Sequence, residues 1–168
     1  MAIREIITLP DPVLRRKAHK IDALDKDLQT LIDDMVETMR VAPGVGLAAP
    51  QVGISQRLIV VEFGEEDDEE APKKLYVLIN PEIIFASTEK VTATEGCLSI
   101  PGLIGEVERS ERVLVKALTR RGQPVKIKAR GWLARIFQHE IDHLDGIVYP
   151  DRAIRVWKPG PDENVPAD

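Results

Sequence analysis

Nine residues, Gln138-His139-Glu140-Ile141-Asp142-His143-Leu144-Asp145-Gly146, restrict this chain more than any other stretch. They contain His-Glu-x-x-His. The residues before them, Gly131-Trp132-Leu133-Ala134-Arg135-Ile136-Phe137, carry apolar side chains on several faces of a helix. Residues four apart on an α-helix differ by about 40° around the axis and about 6 Å along it. His139 and His143 therefore project together and can hold one metal ion, while Glu140 reaches a water on that ion. A helix that is apolar on most faces is a buried helix. Buried imidazoles and carboxylates need partners, because an uncompensated polar group costs on the order of 2–7 kcal/mol. The fold must wrap this helix and bring a third ligand to it.

The chain offers one cysteine, Cys97, and one further histidine, His19. Cys97 lies in Glu95-Gly96-Cys97-Leu98-Ser99, an irregular point between strand-like runs. A lone cysteine is most often an inert buried thiol. Beside a His pair it is the natural third ligand, and Cys plus two His leave a fourth tetrahedral position for water, as a catalytic site requires. A single cysteine allows no internal disulfide and fits a reducing compartment.

The remaining chain sets the architecture. Residues 1–20 read as an extended lead-in with a turn cluster at Leu9-Pro10-Asp11-Pro12, after which Val13 and Leu14 dock on the core. Leu24, Leu28, Leu31, Ile32, Met35 and Met39 recur at helical spacing. They predict a helix over 25–41, N-capped by Asp25 and ended by Pro43-Gly44. The small, apolar segment 44–53 reads as a tight buried turn, with Gly44 and Gly46 permitting close backbone approach. Strands are expected at 58–63, at 75–80 where Pro81 ends it, and at 83–86, 90–94, 107–109, 112–118 and 125–129. The last two form a hairpin with lysines on its wet face. Residues 64–72 read as a solvated acidic loop, and 153–168 as a short Pro-rich tail, partly disordered. The order of helix, many short strands and one buried helix predicts an α+β fold. Mainly antiparallel short-strand sheets pack around the His-Glu-x-x-His helix. The 168 residues suffice for one domain with a real core, expected over 1–152. A net charge of −5 gives no general basic footprint for DNA, and no apolar run reaches membrane-spanning length.

Three segments, in this order, resemble the signature motifs of peptide deformylase: Gly44-Val45-Gly46-Leu47-Ala48-Ala49-Pro50-Gln51, Glu95-Gly96-Cys97-Leu98-Ser99 and Gln138-His139-Glu140-Ile141-Asp142-His143. The resemblance runs from about residue 3 to about 152. It implies hydrolysis of the N-formyl group from the formyl-methionine of new polypeptides, by attack of a metal-bound water on the formyl carbon. It assigns Cys97, His139 and His143 as metal ligands and Glu140 as the acid/base. It assigns the Gln51 side-chain amide and the Leu98 backbone N–H as oxyanion donors, and the Gly46 backbone as a substrate contact. Val45, Leu133 and Ile136, within and beside the motifs, are expected to line the methionine slot. The family's metal is typically Fe(II), with Zn, Ni or Co able to substitute, whereas the ligand types alone point to Zn. The implied setting is a monomer in the bacterial cytoplasm, with transient ribosome association as a further partner and neither DNA nor membrane. Two departures stand out. The long C-terminal helix of many members is missing, and residues 102–105 lack the basic residue some members carry there. A zincin-type endopeptidase needs a His or Glu ligand after the helix, and no His follows Gly146. A purely structural metal module needs neither Glu140 nor Gln51.

Overall fold

The structure is a computed structural model describing residues 2–64 and 72–163. The first helix forms where its stripe predicts, as α1 (Lys26–Val41), with the Asp25 carboxylate accepting the Leu28 N–H at 2.9 Å. Such a side-chain cap satisfies one of the orphan donors of the first turn and contributes about 1 kcal/mol. Leu28, Leu31, Ile32, Met35 and Met39 are all buried. They pack with Leu47, Leu58, Val60 and Ile79 on one face of a five-stranded sheet.

That sheet runs β1 (Gly46–Ala48), β2 (Leu58–Phe63), β3 (Lys74–Ala86), β6 (Arg112–Leu118) and β7 (Pro124–Arg130), each antiparallel to its neighbour. A second sheet is made of β4 (Lys90–Glu95), β5 (Ile104–Ser110) and β8 (Ala153–Trp157), in that order and also antiparallel. The second helix, α2 (Gly131–Leu144), joins the two. Its Ala134, Phe137, Ile141 and Leu144 pack with Ile59, Val61, Val113 and Val115 of the large sheet. Its Arg135, His139 and Asp142 bond to residues of the second sheet. The expected α+β architecture around a buried His-Glu-x-x-His helix is what the chain adopts.

Three expectations are corrected. Segments 75–80 and 83–86 are not two strands but one, β3, which passes through Pro81. Proline cannot donate to a ladder and is tolerated at a bulge; here the pairing with β6 shifts register between Ile79 and Glu82. Asn80 makes that bend with φ of 52°, and its side-chain amide exchanges bonds with the Ile21 backbone at 2.8 and 2.9 Å. Segment 44–53 is more than a turn: it supplies edge strand β1 and then a 3-10 turn, Ala49–Val52. The tail expected from 153 begins instead with β8, whose Arg155 bonds Glu106 across the sheet. Residues 65–71 of the acidic loop and 164–168 of the tail lie outside the described residues. Among the described residues no helix is long and apolar enough to cross a membrane.

The end of α2 is fixed from the N-terminal side. The Ala18 N–H donates to the Leu144 carbonyl at 2.7 Å, and Arg57 donates to the same carbonyl and to Asp145 at 2.9 Å each. Gly146 follows with φ of +76°, and a Cβ there would stand 2.5 Å from the Arg15 carbonyl oxygen. Only glycine fits both the left-handed backbone and the close approach.

Candidate metal centre and acid/base site

The three sequence motifs converge on the middle of α2. Among the described residues, the ligand atoms of Cys97, His139 and His143 all lie within 4.8 Å of one another, and all three residues are buried. Cys97 Sγ is 3.4 Å from His143 Nε2, and the two imidazole centroids are 5.1 Å apart.

Two elements supply the three side chains. His139 and His143 come from successive turns of α2. Cys97 follows β4 by two residues and packs with Ile100, Val107, Val148 and Tyr149. The Glu95 carboxylate oxygen Oε1 is 2.9 Å from His139 Nδ1, which leaves Nε2 as the nitrogen available to a metal. This carboxylate–histidine arrangement is the usual device for orienting a metal-binding imidazole. Glu95 is itself gripped by Arg109, through Nε at 2.6 Å and Nη2 at 2.9 Å, and by Arg135. Burial raises the Glu95 pKa, but bonds to His139 and Arg109 outweigh it and hold the carboxyl well below its ordinary value of 4.5. Burial, reinforced by the neighbouring His139 and Arg109, pushes His143 well below 6.5. His143 is therefore a neutral imidazole at neutral pH, the form in which histidine binds metals. One thiolate donor and two imidazoles, oriented and desolvated, fit a divalent transition ion.

Glu140 is wholly buried and stands against β1. A Cβ on Gly46 would lie 2.6 Å from Glu140 Oε2 and 3.0 Å from its Cδ and Cγ. The glycine is what lets the carboxylate sit there. Gln51, also wholly buried, sits in the 3-10 turn after β1 and is oriented by the end of that strand: the Ala48 N–H donates to Oε1 at 2.9 Å. That aims Nε2 at Ser99 Oγ, 3.1 Å away, and at Cys97 Sγ, 3.7 Å away. Leu98 lies against Gly44, where an added Cβ would meet its Cδ1 at 3.1 Å. Gln51 thus reaches the Cys97, His139 and His143 cluster directly, while Leu98 follows Cys97 in the chain and Glu140 follows His139 on α2.

The expected methionine-slot residues are brought together less completely. Val45, Leu133 and Ile136 belong to one apolar cluster. Only Leu133 lines the open cleft formed with Phe63, Lys74, Tyr76 and Arg130, and neither Cys97, His139 nor His143 lines it. Ile136 is 2% exposed and packs inside the core. Sequence reasoning missed Glu95, Ser99, Arg109, Arg135 and Asp142. Glu95 and Ser99 sat inside a quoted motif. Arg135 and Asp142 flank His139 at helical spacing on a helix whose other face is apolar, which is a readable signal.

Fold and site define a class: an α+β protein that gathers one cysteine and a His-Glu-x-x-His pair, with a buried carboxylate and a carboxamide alongside. Residues 3–158 match the family model described as polypeptide deformylase. A peptide deformylase of Symbiobacterium thermophilum is 57% identical over 90% of this chain and 67% of its own length. One of Dehalococcoides mccartyi is 51% identical over 100% of this chain and 98% of its own. The crystal structure of peptide deformylase from Thermotoga maritima superposes with a TM-score of 0.85 at 42% identity, covering 92% of this chain and 100% of that one. The Ehrlichia chaffeensis enzyme in complex with actinonin gives a TM-score of 0.85 at 41% identity, over 92% and 91%. The chain belongs to the polypeptide deformylase family and, with it, to the hydrolases.

Proposed function

We propose that residues 1–152 form one catalytic unit that removes the formyl group from N-formyl-methionyl polypeptides, using a single metal ion held by Cys97, His139 and His143. The convergence of Gln51 Nε2, Cys97 Sγ and His143 Nε2 beside the buried Glu140 carries this reading. The donor set accepts Fe(II), which we assign as the metal in the cell, and also Zn, Ni or Co. When bound, the ion supplies Lewis-acid activation of a water and of the formyl carbonyl. Glu140 takes the proton of the attacking water and returns it to the leaving amine. The Gln51 amide and the Leu98 N–H donate to the oxygen of the tetrahedral intermediate, each contribution being about 3–4 kcal/mol in comparable sites. The Gly46 backbone aligns the peptide, and Val45, Leu133 and Ile136 shape the apolar slot for its methionine. We place the enzyme as a monomer in the bacterial cytoplasm, meeting its substrates transiently at the ribosome.

Hydrolysis of a formyl-Met peptide by anaerobically purified protein, followed together with metal content, tests this. Turnover should track one ion per chain, and actinonin, the ligand of the Ehrlichia chaffeensis relative, should inhibit it. Glu140→Gln should keep the ion and lose at least 10²-fold in kcat, since an amide cannot accept the proton. Metal-loaded protein that leaves formyl-Met peptides intact sinks the assignment.

A further inference from the structure

The seam between α2 and the second sheet is held by a polar stripe on the helix. Arg135, Gln138, His139 and Asp142 recur at i, i+3, i+4 and i+7, so they share one face. Gln138 exchanges two bonds with the Ser110 backbone, at 3.1 and 2.9 Å. Asp142 accepts from Arg109 and Arg152, and His139 meets Glu95.

Arg135 does something the others do not. Its Nη1 donates to Glu95 Oε2 and, at 2.9 Å, to the Val107 carbonyl of β5, while its Nη2 donates to the Val91 carbonyl of β4. It is 5% exposed. One guanidinium on α2 therefore grips the backbone of two strands and the carboxylate between them. Charge balance alone does not call for it, because Arg109 already binds both Glu95 oxygens. Arg109 sits on β5, however, and its bond to α2 is made through Asp142, on the C-terminal side of His139. Arg135 ties Glu95 to α2 itself, one turn before His139.

That location matters because the ligands straddle the seam. Cys97 leaves β4 two residues beyond Glu95, and His139 and His143 follow Arg135 by one and two turns. We propose that Arg135 is a positioning residue for the metal centre: it fixes the separation between the strand that delivers the thiolate and the helix that delivers the imidazoles. The inference rests on the reading that Cys97, His139 and His143 hold an ion. A fork of donors is needed, since a lysine has one point charge and cannot reach two carbonyls and a carboxylate together.

The test compares wild-type protein, His143→Ala, Arg135→Met and Arg135→Lys as apo proteins. Zn affinity is read by competition with a chromophoric chelator, and each Co(II)-loaded protein is read by its thiolate-to-metal absorption band. Melting temperature is recorded for each. Arg135→Met should bind Zn about 10–100-fold more weakly, the usual cost of losing a residue that supports a ligand, and should shift the Co(II) band. Arg135→Lys should fall between. A folded Arg135→Met with wild-type Zn affinity and an unchanged Co(II) band, whatever its melting temperature, makes Arg135 a structural tie only and overturns the proposal. Should Arg135→Met fail to fold, Arg135→Lys decides: weakened affinity with a shifted band supports the proposal, and wild-type values for both overturn it. Wild-type protein that binds no ion brings down the metal reading itself; wild-type binding, lost in His143→Ala but unchanged in the Arg135 variants, brings down only this one.

Discussion

Gly46→Ala isolates the placement of the acid/base. Gly46 of β1 pairs with Val61 of β2, and the new methyl carbon would stand 2.6 Å from Glu140 Oε2 and 3.0 Å from Cδ and Cγ. Non-bonded carbon contacts settle at roughly 3.5–4.0 Å, so the carboxylate must withdraw by about 1 Å. Glu140 is wholly buried, which denies it a solvent-side escape. A reacting group displaced by about 1 Å loses on the order of 10²-fold in rate, or about 2.7 kcal/mol in the barrier. Overpacking of this kind costs about 1–3 kcal/mol of stability, which for a chain of this size lowers the melting temperature by a few degrees per kcal/mol, roughly 2–4 °C. The backbone of residue 46 is unchanged in the variant, so a substrate contact made by that backbone survives. The expected result is a kcat about 10²-fold lower, KM within a few-fold, one bound ion per chain and a modest drop in melting temperature. The assay is steady-state hydrolysis of a formyl-Met peptide by fully metal-loaded protein, beside a thermal melt. A kcat within twofold of wild type would show that Glu140 tolerates displacement and that its position against Gly46 is incidental.

Three further outcomes are expected. The Glu95 carboxyl is held below 4.5 by His139 and Arg109 against the opposing effect of burial, so the stability it contributes is complete above about pH 4.5 and is lost on acidification towards its lower folded value. Glu95→Gln should therefore flatten the acid limb of a melting-temperature profile and destabilise the protein by about 3–5 kcal/mol at pH 7, because it strands buried arginines; an unchanged acid limb refutes the linkage. Cys97→Ser should weaken metal binding and abolish turnover, and full occupancy with an unaltered Co(II) spectrum in that variant would remove Cys97 from the ligand set. Fe(II)-loaded protein should lose activity in air while Ni- and Co-loaded protein does not, with Cys97 open to oxidation once released as a ligand; equal decay for all metals points to general unfolding instead.

The clustering of Cys97, His139 and His143 was legible because its signal is local. His139 and His143 are fixed by helical period, and one cysteine left no choice of thiolate. The helix over 25–41 was legible for the same reason, since a cap and a periodic stripe agree. The continuity of β3 was not, because Pro81 ordinarily stops a strand and only the bulge beside Asn80, supported by Ile21 from 59 residues away, permits it. Strand β8 was hidden by composition: Ala153–Trp157 alternates too briefly to outweigh the prolines after it, and its partner β5 lies far away in sequence. The contact between Gly46 and Glu140 joins two motifs that are each readable alone, but the distance between them exists only after β1 has paired with β2. Arg135 and Asp142 were passed over because charged residues on a helix usually face water, whereas here the opposing sheet supplies carbonyls, a carboxylate and a guanidinium.

The two sheets are open, and every open sheet has edges that another chain can extend. Strand β1 is three residues long and runs straight into a 3-10 turn containing Pro50. Strand β7 begins with Pro124 and exposes Lys126, Lys128 and Arg130. Its Lys126 faces Lys116 and its Arg130 faces Arg112 across the hairpin, like-charge pairs that weaken the hairpin locally. The same row repels a second copy of itself, which is how exposed edges avoid adding strands to one another. On the second sheet Arg135 occupies the Val91 carbonyl of edge strand β4, and β8 is followed by Pro159 and Pro161. The lysine rows therefore trade a little hairpin stability for colloidal safety. They leave the β7 edge of a chain of net charge −5 poorly suited to pairing with a second copy of itself.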